Sequence, residues 1–221
     1  MIEGPGLREQ RKRRTREAIA GAAMSLFFEH GYDAVTVAEV GRKAGVSTAT
    51  VFNYFNAKED LFFDEVAELQ AAMVESVRRC RPGESVLAAL QAQVVYQLTA
   101  GRPDSASDEV VRFHSAIVAS EDLQRREQQI QLERRVVLTG ALAEALGTES
   151  GTVGAELAAA QYLAAEGVIA ANLRTKLLGG QSLAAALREL EPLIDEVFRT
   201  LRTGLGPLAK TAEPPSVVVT P

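Results

Sequence analysis

Two short helical patterns joined through one glycine, between Thr36 and Phe55, constrain this chain more than any other feature. Thr36 with Glu39 three residues on is a capping box, which predicts a helix through Ala44. Gly45 permits a tight turn, and Ser47 caps a second short helix that ends near Phe55. Val40, Ala44, Val46, Val51 and Phe55 have the spacing of a small core shared by two crossing helices. A basic helix precedes them, from about Arg8 to His30. Ile19, Ala23, Leu26, Phe27 and His30 mark its buried face, and Gly31 stands at the left-handed C-cap position. Three helices within the first 55 residues, two of them joined through a glycine turn, form a helix-turn-helix pattern.

The rest of the chain also reads as helix. Apolar residues recur at three- and four-residue spacing, and strand-like alternation is scarce outside Val217-Val218-Val219, so the expected fold class is all-α. Asn56 with Glu59 repeats the cap spacing and predicts one long helix toward Cys80. Further helices are predicted at about 84–100, 107–119, 121–147, 152–179 and 182–204, with a loop at Arg102 to Ser107. After Gly206-Pro207 a disordered tail is expected. The expected organisation is a helical head with the helix-turn-helix pattern at about 36–55, a larger helical body, and the tail 206–221.

Charge is distributed unevenly. Residues 1–58 hold nine Lys/Arg against six Asp/Glu, a balance of +3, whereas 59–221 hold 15 against 23, a balance of −8. An anion-binding head on an acidic body fits that asymmetry better than the overall −5 suggests. The single cysteine, Cys80, forms no intrachain disulfide and reads as a small apolar residue or inert thiol. The uncharged run Val86 to Gly101 contains Gln91, Gln93 and Gln97 and falls short of a membrane span, so a cytoplasmic protein is expected. No zinc spacing, glycine-rich phosphate loop or nucleophile–base motif occurs. Neither catalysis, a metal nor a cofactor is expected.

With Val51 inward and about 100° per residue, Ala49 and Asn53 lie roughly 160° away and point outward. Thr48 sits in the first turn, the part of a recognition helix that meets base edges. The exposed reader is then Thr48, Ala49, Thr50, Asn53 and Tyr54, with no Lys or Arg between Ser47 and Phe55. Asn53 can pair bidentately with adenine, and Ala49 and the threonine methyls suit thymine methyl groups, so reading at A·T steps is expected. Thr36, Ser47 and Asn56 each head a helix, where an anion is favoured. The run Arg11 to Arg16 is either a solvated helix start or a phosphate and minor-groove arm.

The stretch from Thr36 to Leu61 (TVAEVGRKAGVSTATVFNYFNAKEDL) closely resembles the DNA-binding domain of the tetracycline-repressor (TetR) family, and the likeness extends over roughly residues 12–72. The resemblance implies a DNA-binding domain over 12–72, a larger helical effector-binding and dimerisation domain over 73–205, and a homodimeric transcriptional regulator on a palindromic operator, which represses and is released by a small molecule. It also implies phosphate contacts at Thr36, Thr50, Tyr54 and Lys58, with Thr48 and Asn53 nearer the bases. Phe52 stands where many members carry tyrosine, so one hydroxyl contact is lacking. A corepressor-dependent or activating regulator of the same fold, or a non-specific architectural DNA binder, are the alternatives.

A dimer interface is expected on helices 152–179 and 182–204. The first is rich in small residues (Ala158, Ala159, Ala164, Gly167, Ala170, Ala171). The second carries Leu183, Leu187, Leu190, Ile194, Val197 and Leu201 as a heptad-like seam, which Pro192 is expected to kink or divide. The family's effector pocket lies in the middle helices, where Tyr96, Phe113 and His114 are the candidates for contacting an apolar effector.

Overall fold

The computed structural model describes residues 6–81, 83–99, 107–147 and 153–204. Regular structure among them is entirely α-helical. In order the helices are α1 (Leu7–His30), α2 (Val37–Ala44), α3 (Thr48–Phe52), α4 (Lys58–Phe62) and α5 (Val66–Arg78), then α6 (Val86–Thr99), α7 (Ser107–Ala119), α8 (Glu121–Leu146), α9 (Val153–Leu178) and α10 (Leu183–Thr203). The tail after Gly206-Pro207 lies outside the described residues, as does the expected loop at 102–107 except for Ser107, where α7 begins.

Two buried apolar clusters organise these helices. The first is centred on α1 to α4, with Ile19, Ala23, Phe27, Val40, Val51, Phe55 and Phe62, and it also takes Ile117 from α7 and Leu123 and Ile130 from α8. The second lies in the body and joins α5, α6, α8, α9 and α10, with Met73, Leu90, Leu138, Tyr162, Leu173, Leu190 and Phe198 among its members. Helix α9 is its spine, packed between α8 and α10.

The single long helix predicted from Asn56 toward Cys80 is two helices, α4 and α5. Leu61, Phe62 and Phe63 are three consecutive buried residues. A straight helix spreads three successive side chains over about 200° of its circumference, too wide for one core. The backbone therefore leaves the helix at Phe63 (φ −102°, ψ 30°), and α5 restarts facing the second core with Met73, Val74 and Val77. The cap is also different from the expected one: Ala57 precedes α4 and makes no side-chain cap bond, so Asn56 does not cap.

The structure bears on two expectations about α10. The helix is continuous through Pro192, which does not divide it. Of the expected seam, Leu183, Leu190 and Ile194 are buried inside the protomer together with Ala186 and Phe198, while Leu187, Val197 and Leu201 pack partly against the same core. Alternation by three and four describes any helix face that meets a partner, and here that partner is the chain's own α9 and α6.

Leu190 is 0 % exposed in the second core. Leu190→Ala is expected to lower the unfolding free energy by about 3 kcal/mol, the middle of the range for a buried leucine, measured by urea denaturation followed by circular dichroism.

Candidate nucleic-acid interface

The turn between α2 and α3 is built from two glycines. Gly45 adopts the left-handed conformation (φ 71°, ψ 27°), and its N–H bonds back to the carbonyls of Gly41 and Arg42. A side chain there costs roughly 1–2 kcal/mol. Gly41 is buried, and a Cβ on it would lie 3.0 Å from the backbone oxygen of Val46. The close approach lets Val46 N–H donate to the Gly41 carbonyl at 2.9 Å. Sequence reading passed over Gly41, since a glycine inside a helix carries no local signal of what approaches it.

Helix α3 leaves this turn with Val51 buried and Thr48, Ala49 and Asn53 exposed, as the rotation about the helix axis requires. Thr50 and Tyr54 are half-buried at its edges. Ser47 caps α3: its oxygen accepts from the Thr50 amide at 3.0 Å, and its hydroxyl lies 2.8 Å from that of Thr50. Phe52 is 51 % exposed, an apolar ring beside the reading face. The chemistry on offer is one amide side chain, short hydroxyls and methyls, which match base edges and phosphate oxygens and carry no charge.

The expected phosphate residues divide. At the start of α2, Thr36 N–H donates to a Glu39 carboxylate oxygen at 2.8 Å, and the Thr36 hydroxyl does the same. These bonds hold the Glu39 carboxyl below its ordinary value of 4.5. This end of α2 therefore already carries an anion, and a phosphate at Thr36 would have to displace it. Lys58 is turned inward. Its ammonium donates to the Tyr32 carbonyl at 2.6 Å and sits 4.1 Å from the centre of the Tyr32 ring. Desolvation pushes its pKa down. A phosphate contact by this ammonium requires it to leave both partners.

Most of the head's cations that face solvent are on α1, and Arg42 of α2 is exposed as well. The run Arg11 to Arg16 is helical, with Arg8 and Arg11 to Arg14 exposed. An open groove of about 510 Å³ lies between this helix and the end of the reader, lined by Glu9, Gln10, Lys12, Arg13, Arg16, Asn53 and Tyr54. Lys43 is held differently, donating to Ser25 at 2.6 Å and Glu29 at 3.1 Å across the α1–α2 contact.

Comparison with known proteins agrees with this geometry. Residues 19–64 match the family model described as "Bacterial regulatory proteins, tetR family". Through these residues the head resembles the tetR family. It is 31% identical over 87 residues to the HTH-type transcriptional regulator TcmR of Streptomyces glaucescens, covering 39% of this chain and 38% of that protein. It is 36% identical over 63 residues to the HTH-type transcriptional repressor AcnR of Corynebacterium efficiens, covering 28% and 34%. The chain thus spans little more than a third of these curated relatives' lengths. A solved complex of SmeT with triclosan shares the fold, with a TM-score of 0.57 at 18% identity over 85% of this chain and 91% of that one.

Of the three effector-pocket candidates, Phe113 and His114 are in edge contact, with ring centres 5.6 Å apart, and Tyr96 stands apart from them. Tyr96 is 65 % exposed on the surface of α6. Phe113 stacks on Phe62 with ring centres 4.6 Å apart and packs against the head's core. His114 is half-buried, and its Nδ1 accepts from Arg174 Nε at 3.4 Å. The aromatic and histidine pattern had no way to signal these destinations, because each is set by a helix distant in sequence. What sequence reading missed in the body is the half-buried pair Arg134–Glu166, 2.6 Å apart, beside Tyr162. Among the described residues no group of three or more His, Cys, Asp and Glu is placed to hold a metal ion.

The capping box gives a pH signature. A carboxyl whose folded pKa is depressed contributes stability above its unfolded value and loses it as the pH falls through the folded one. Glu39→Ala is therefore expected to lower the melting midpoint at pH 7 and to have a smaller effect at pH 3, read by differential scanning calorimetry.

Proposed function

We propose that this protein is a DNA-binding transcriptional regulator whose α3 enters the major groove, and that it represses from a palindromic operator as a homodimer. The observation that carries the reading is the joint exposure of Thr48, Ala49 and Asn53 on one face of α3, while Val51 seats the opposite face in the core. Thr48, Ala49 and Asn53 would meet base edges. Ser47, Thr50 and Tyr54 would meet the backbone beside them, and the exposed arginines of α1 would supply the charge-dependent affinity. Repression is favoured by the likeness of the head to the repressor AcnR.

A dimer follows from how little one short helix can read. Helix α9 offers the surface for it. Val153, Leu157, Ala164, Val168, Ala171 and Leu178 are exposed and share one face, and the small residues among them allow close approach of a second helix. Helix α10 would contribute Leu187, Val197 and Leu201, the part of its stripe that the protomer core leaves partly open. Release by a small molecule is supported by the SmeT–triclosan complex of the same fold.

Selection of duplexes from a random library by the full chain tests the reading. A palindromic consensus rich in A·T pairs is expected, with a preference of roughly 10³ or more over random duplex. A consensus of G·C pairs alone opposite α3 would refute the assignment of readers, and a protein with little preference would be an architectural binder. Asn53→Ala is expected to cost about 1–3 kcal/mol of operator binding and to relax selection at one base position, measured by fluorescence anisotropy on single-substituted duplexes.

A further inference from the structure

We propose that Arg16 is a positioning residue for DNA reading, one that sets the orientation of α3 through its contacts within the protein instead of by meeting a phosphate. The inference rests on the reading of α3 as the DNA-contacting helix. Arg16 belongs by sequence to the basic run of α1, and it alone of that run is anchored at a distance along the chain. Its Nε donates to Asp64 Oδ1 at 2.7 Å and its Nη2 lies 2.6 Å from the same oxygen. Its Nη1 donates to the Tyr54 carbonyl at 2.8 Å. The guanidinium carbon stands 4.3 Å above the centre of the Phe55 ring.

Each partner has a place in the reading apparatus. Tyr54 and Phe55 follow α3, and both of their amides bond back to the Val51 carbonyl. The Tyr54 carbonyl belongs to the last turn, which has no further helical donor, and a cation there is favoured by the helix dipole. Asp64 sits in the break between α4 and α5, where the chain passes from the first core to the second. One guanidinium therefore joins α1, the end of α3 and the break.

A polar cleft of about 220 Å³ opens beside this joint, lined by Arg16 and Asp64 and also by Asp60, Arg126 and Glu133. On its other side Arg126 of α8 holds Asp60 of α4 at 3.0 Å and Glu133 at 2.7 Å. The break is thus strapped to α1 on one side and α4 to α8 on the other, and a shift of α8 displaces Asp64 and, through Arg16, the Tyr54 carbonyl. Only a planar fork serves this purpose. Lysine has no second donor in the plane and no face to lay on Phe55.

The test uses the full chain and its selected operator, with affinity measured from low to high salt. Arg16→Ala, Arg16→Lys and Asp64→Asn are each expected to weaken binding about tenfold with the slope of log affinity against log salt unchanged. The Ala/Asn double variant is expected to be no weaker than Arg16→Ala, since the pair acts as one unit. A slope shallower by about 0.9 in Arg16→Ala, restored by Arg16→Lys and untouched by Asp64→Asn, would make Arg16 a phosphate contact and overturn the proposal. So would variants that melt earlier but, while folded, bind as tightly as the parent. If Arg16→Ala does not fold, Arg16→Lys and Asp64→Asn decide alone by the same criteria. A parent chain that selects no duplex refutes the DNA-reading function itself, and the positioning role with it, before any variant is made.

Discussion

The stack of Phe62 on Phe113, 4.6 Å between ring centres and 13° from parallel, is the contact that the head depends on. Helices α1 to α4 and their connections supply most of the first buried cluster, and α7 and α8 complete it. Phe27, Tyr32, Phe62 and Phe63 make a chain of tilted and edge-on rings that is completed by Phe113 of α7. Ile117, Leu123 and Ile130 finish the cluster from the corner between α7 and α8. The Ser120 hydroxyl at that corner donates to Asp33, between α1 and α2, at 2.9 Å. Head and body are therefore joined through shared apolar surface, and a rearrangement of α7 or α8 cannot leave the head where it was.

The break at Phe63 to Glu65 carries the same logic into the backbone. A continuous helix would have to divide one face between two cores that lie in different directions, so the chain gives up one turn of helix and gains a buried Phe63 on one side and Met73, Val74 and Val77 on the other. Asp60 and Asp64 occupy this region and hold arginines from α8 and α1. Apolar packing sets where the elements lie, and the ion pairs around the cleft fix their angles.

Electrostatics sorts the head's cations into two groups that a count of charges merges. Arg16, Lys43 and Lys58 are engaged within the head, by Asp64, by Ser25 and Glu29, and by the Tyr32 carbonyl. Arg8 and Arg11 to Arg14 are exposed on the projecting part of α1, ahead of Ile19, where the buried core begins, and Arg42 is exposed on α2. The surplus of +3 over residues 1–58 therefore overstates the charge surrounding the uncharged face of α3 and understates its concentration on one helix.

Local chemistry was legible in the amino-acid sequence. The capping box at Thr36 and Glu39, the left-handed Gly45, the Ser47 cap and the inward Val51 all depend on residues within four positions of one another, and the structure has each of them. The all-α class and the helix-turn-helix followed from those signals and from apolar spacing. Tertiary structure alone decided which partner each apolar or charged face would meet. It turned half of the α10 stripe into protomer core, sent Phe113 to the head, left Tyr96 on the surface and tied Lys58 and Arg16 to partners within the head. Spacing along a helix tells that a face is apolar or charged, whereas its partner comes from elements 26 to 48 residues away in these last two cases, and no local pattern encodes that distance.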